Sequence, residues 1–139
     1  MALVSEIGKV KVAKDTGGEF MKQLFTINEN LRVHWDCEEI DPDAVPKSQR
    51  LVMEGAQLLH ILYGLVSDSV NNASNFKSGA RNLGSDFKEK GIKLASLDNI
   101  KQALFNLFAA KGHPQDKLKG EWDKFFQQVS DEMKAGGLS

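Results

Sequence analysis

Apolar residues recur at helical spacing wherever this chain is apolar, and the alternation that marks a half-buried strand is missing. Phe20, Met21, Leu24 and Phe25 fall on one helical face just after Asp15-Thr16-Gly17-Gly18. Residues 28–33 continue helically in a weaker way. Residues 37–46 (CEEIDPDAVP) are acidic and bounded by proline, which predicts a loop or a single turn. The strongest element runs over 48–70, where Leu51, Leu58, Ile61, Leu62 and Leu65 hold a 3.6-residue period. Residues 67–77 are polar, and Asn71-Asn72 reads as a stop. A shorter helix over 78–90 ends at Gly91. Ser96 has the chemistry of an N-cap and Asp98 suits the first turn behind it. That helix carries Leu97, Ile100, Leu104, Leu107 and Phe108 and stops at Lys111-Gly112-His113-Pro114. The last one carries Trp122, Phe125, Phe126, Val129 and Met133, and Gly136-Gly137 ends it. The pattern predicts an all-α chain.

Composition narrows the function. A 139-residue chain that is 41% hydrophobic has material for one real core, so residues 1–139 are expected to form a single domain. Eighteen basic residues nearly cancel nineteen acidic ones, with no basic stripe. Nucleic acid and membrane surfaces are therefore not expected partners. The most apolar stretch, 58–66, is too short to span a bilayer, and MALVSEIGKVKVAK lacks the apolar run of a secretory signal. A soluble cytoplasmic protein is expected, although a secreted chain that had shed its signal would read the same. One cysteine, Cys37, excludes a disulfide framework within the chain. Its neighbours Glu38 and Glu39 disfavour a thiolate.

Two glycines bear on the architecture. Gly17 and Gly55 sit inside apolar helices, where glycine costs about 1 kcal/mol against alanine. Two such glycines on two helices allow close backbone contact at a steep crossing, which a bundle of shallow crossings does not need. Gly17 lies eight residues before Phe25, Trp35 follows, and Gly55 lies inside the strongest helix. With LGSDFKEKGIKLASLDNIKQAL (83–104) and EWDKFF around Trp122, this order resembles the globin family along nearly the whole chain. The resemblance implies a globin-like fold of six to eight helices with a short N-terminal helix. It implies that Gly17 and Gly55 meet at the crossing of the second and distal helices. It also places Trp35 where globins wedge an aromatic ring against heme.

The departures from the family carry the chemistry. Counting six residues back from Ile92 puts the proximal position on Asp86, where globins hold the heme iron with a histidine. Counting one back from Gly55 puts the distal position on Glu54. Ser85 and Phe87 flank Asp86, so a slip of one residue restores no histidine, and none lies between His60 and His113. The proline expected after the second helix is also missing from FTINEN. The resemblance implies that Glu54 and Asp86 face one another across a pocket lined by Trp35, Leu58, Ile61, Leu83, Ile92, Leu97 and Ile100.

Each candidate has a plainer reading. Carboxylates such as Glu54 and Asp86 most often point to solvent. Apolar residues at helical spacing are usually core, and Met53, a soft sulfur donor, is expected there too. His60 faces away from the pocket stripe, His34 sits at a loop entry, and His113 lies in a turn, so none is expected to ligate a metal. The triplet Asn72-Ala73-Ser74 matches a glycosylation acceptor that matters only in a secreted chain. Lys88-Glu89-Lys90 reads as solvated surface.

Two functions follow. The preferred one is a binding protein on a globin-like scaffold, heme-free, with an apolar pocket that is collapsed or holds a hydrophobic small molecule such as a fatty acid. The alternative is a heme-binding globin with atypical ligation by Asp86, Glu54 or Met53, in oxygen binding or peroxidase-like work. A helical protein with no ligand is the baseline for both. No catalytic residue and no metal ligand is assigned, and oligomeric state is not readable.

Overall fold

The computed structural model describes residues 2–139, and its described residues form six α-helices and four short 3-10 helices with no strand. The α-helices are α1 (Ala2–Ile7), α2 (Lys14–Ile27), α3 (Gln49–Asn71), α4 (Ala73–Lys90), α5 (Leu97–Ala110) and α6 (Lys119–Ala135). The 3-10 helices span Glu29–Trp35, Pro42–Lys47, Leu94–Ser96 and Asp116–Leu118. The first two hold the segments expected to be weakly helical and a single turn.

Helix ends follow local chemistry. Ser48 caps α3, its hydroxyl accepting from the Leu51 N–H at 3.3 Å. Asn28 replaces the missing proline: its N–H closes α2 on the Leu24 carbonyl, and its side chain accepts from Asn30 N–H at 3.1 Å. Two boundaries differ from the sequence expectation. The α4 helix begins at Ala73, five residues earlier than 78, because the Asn72 side chain caps it by accepting from Asn75 N–H at 3.0 Å. The first turns of α4 are held by Phe76, whose ring packs edge-on against Phe125 of α6, 6.2 Å between centroids. Ser96 does not cap α5 with its side chain, because it ends a 3-10 turn in helical backbone geometry.

The most extensive packing joins α2 to α3. At their crossing Gly17 and Gly55 meet backbone to backbone, as the resemblance implied. A second core layer gathers around Trp122, whose ring touches Phe105, Phe108, Phe125 and Phe126 from α5 and α6. With α2 pressed tightly on α3, and α4 held against α6, the facing sides of α3 and α4 remain as the walls of a cleft.

A candidate binding cleft between α3 and α4

Four residues of α3, five of α4 and one aromatic ring line this open cleft of ≈ 290 Å³. Glu54, Gln57, Leu58 and Ile61 come from α3, Leu83, Asp86, Phe87, Glu89 and Lys90 from α4, and Trp35 closes one end. The structure therefore brings together six of the nine residues named from the sequence: Trp35, Glu54, Leu58, Ile61, Leu83 and Asp86. The other three, Ile92, Leu97 and Ile100, lie outside the cleft wall and are buried in the core. Gln57, Phe87, Glu89 and Lys90 are lining residues that sequence reasoning left out.

Helical phase decides which side chains form the floor. On α4 the buried residues are Phe76, Ala80, Leu83, Gly84 and Phe87, a continuous stripe at spacings of three and four. Phe87 extends that stripe and is 3% exposed, whereas Asp86, about 100° away round the helix, is exposed on the rim. Both line the cleft, Phe87 from its buried floor and Asp86 from its exposed rim. Gly91 adopts a left-handed conformation (φ 80°), and the Ile92 N–H donates to the Phe87 carbonyl at 2.8 Å while Gly91 N–H donates to Lys88. This closure ties Ile92 to the residue five positions back.

Trp35 is held from three sides. The Arg50 guanidinium donates to its carbonyl at 2.7 Å, and the Phe25 ring meets it edge-on at 5.7 Å. The Lys90 ammonium stands 5.9 Å from its ring centroid. His34, just before Trp35, places Nδ1 2.9 Å from the Lys90 carbonyl and so pins this corner to the carboxyl end of α4. The rim carries three carboxylates, Glu54, Asp86 and Glu89, against the single ammonium of Lys90. Among the described residues none of the three carboxylates forms an ion pair.

Soft donors lie elsewhere. Met53, expected in the core, is 49% exposed on α3, because its position falls opposite the face that α2 covers. Cys37 is fully buried and its thiol contacts the Arg32 carbonyl at 3.5 Å. Burial, ahead of any neighbouring charge, pushes its pKa up, and Glu38 and Glu39 add least. His60 is exposed on α3 outside the cleft. Among the described residues no group of three or more His, Cys, Asp or Glu converges to hold a metal ion, and no helix is long and apolar enough to cross a membrane.

A family model for globins matches residues 18–133. The chain belongs to the globin family. Among curated proteins none matches it. In this globin the lining of the α3–α4 cleft contains no imidazole, thiolate or thioether.

Proposed function

We propose that this globin is a heme-free binding protein whose α3–α4 cleft takes a small organic molecule. The observation that carries the reading is Phe87. A buried phenyl ring on the inward stripe of α4 offers no lone pair to iron, and no lining residue supplies the imidazole, thiolate or thioether that heme proteins commonly use. The carboxylates Glu54 and Asp86 are hard oxygen donors on the rim. The residues present do not fit heme.

What remains is recognition. Leu58, Leu83, Phe87 and Trp35 are buried or nearly so and form an apolar floor, with polar groups confined to the rim. That combination is the usual composition of a small-molecule site, at the small end of the common range of roughly 300–1,000 Å³.

Titrating the purified full chain with hemin tests the reading. The expected result is broad, unsaturable absorption with no sharp Soret band. One-to-one saturable uptake with a sharp Soret band would overturn it.

A further inference from the structure

Resting on the reading of the cleft as a small-molecule site, we propose that its ligand is an organic cation carrying a small flat apolar group. The floor and the rim point in this direction separately. Trp35 lines the cleft, and the Lys90 ammonium, itself part of the lining, sits over its ring at 5.9 Å from the centroid. Indole faces attract cations through their quadrupole, more strongly than other aromatic rings do. Arg50 holds the Trp35 backbone through its carbonyl and the Phe25 ring meets the indole edge-on, so displacement of Lys90 opens a ring already held in place.

The rim adds charge of one sign. Glu54 on α3 and Asp86 and Glu89 on α4 face the cleft from both walls, free of ion pairs among the described residues, and Lys90 offsets only one of them. The last turn of α4, which carries Asp86, Glu89 and Lys90, contributes the negative end of its helix dipole. An anionic amphiphile, a fatty acid included, would bring its carboxylate into this potential and be repelled. A cation whose apolar part rests on Leu58, Leu83 and Phe87 places its charge between Trp35 and the rim carboxylates, where it takes over the role of Lys90.

Three soluble probes of similar size, benzyltrimethylammonium, benzyl alcohol and phenylacetate, separate charge from apolar contact. Each is titrated into the full chain, and binding is read from the Trp35 indole N–H and the Leu58 and Phe87 amides by NMR. Benzyltrimethylammonium is expected to bind tightest and phenylacetate weakest. Each of Glu54→Gln, Asp86→Asn and Glu89→Gln should weaken the cation by between about 1.5- and 5-fold, as exposed charge pairs do. Raising salt to 1 M should shrink its advantage over benzyl alcohol. Lys90→Gln should tighten the cation, because it frees the Trp35 ring and removes the ammonium that competes for it, an outcome that a merely structural lysine would not produce. Equal binding of all three probes at Trp35 would overturn the cation preference and leave the small-molecule reading standing. No shift at Trp35, Leu58 or Phe87 from any probe would overturn both, whereas the hemin titration decides separately whether the protein is heme-free.

Discussion

The indole N–H of Trp122 donates to the side-chain oxygen of Gln115 at 2.8 Å, deep in the α5–α6 core. The other end of the same amide donates to Glu6 of α1 at 2.9 Å and to the His113 carbonyl at 2.8 Å. One buried amide thus satisfies the indole and ties the N-terminal helix to the turn before α6. Gln115→Leu keeps the volume but leaves the fully buried indole N–H without an acceptor. A loss of about 1–3 kcal/mol is expected by urea unfolding, with Glu6 and α1 losing amide-exchange protection. Unchanged stability would mean that the amide network adds nothing.

The α2–α3 crossing allows a sharper contrast. A Cβ on Gly17 would stand 2.5 Å from the Val52 carbonyl oxygen and 2.7 Å from the Ala56 nitrogen, both backbone atoms that cannot rotate away. Gly17→Ala therefore has to push the helices apart, at about 1–3 kcal/mol or more. Gly64, also within α3, would meet nothing within 4 Å. Gly64→Ala should stabilise by about 0.5–1 kcal/mol through helix propensity alone. The two alanine variants are expected to move the denaturant midpoint in opposite directions.

Restoring a ligand tests the phase of α4. Phe87→His places an imidazole on the inward stripe, and the variant is expected to take up hemin with a sharp Soret band. Asp86→His places it on the exposed rim and should leave the spectrum of added hemin close to that with the unmodified protein. The reverse order would move the inward position back onto residue 86.

Acid titration should reveal the α5–α6 ion pairs. The Lys101 ammonium, 2.9 Å from Asp123, holds that carboxyl below its ordinary value of 3.8, chiefly by hydrogen bonding. A depressed folded-state pKa means stability that is present above 3.8 and lost as pH falls through the lower folded value. Asp123 is 41% exposed on its side chain, so screening keeps the contribution under about 1 kcal/mol. Asp123→Asn is expected to be less stable than the unmodified chain at pH 7, with the two converging as the pH drops below 3.8 in urea-unfolding curves.

Most helices were legible because burial on one side imposes a 3.6-residue period on the residues themselves. Leu51, Leu58, Leu62 and Leu65 mark α3, and Phe125, Phe126, Val129 and Met133 mark α6, without any knowledge of what covers them. The start of α4 was harder to see. Its first turns are polar, and only Phe76, held by Phe125 from another helix, carries the apolar stripe through them. Met53 and the trio Ile92, Leu97 and Ile100 show the same limit: hydrophobicity says that a side chain is suited to burial, not whether it ends on the surface, on a cleft wall or in the core.

The sequence by itself determined the helical class, the presence of Gly17 and Gly55 inside apolar helices, and the lack of any histidine between His60 and His113. Those follow from residue types and spacings that no packing can alter. Only the tertiary structure decided that the two glycines meet, that α4 buries Phe87 and leaves Asp86 exposed, and that Glu54, Asp86 and Glu89 share one rim. A single residue is about 100° of helical rotation, and that rotation is set by what α4 packs against and by the hydrogen bond from Ile92 that closes its end.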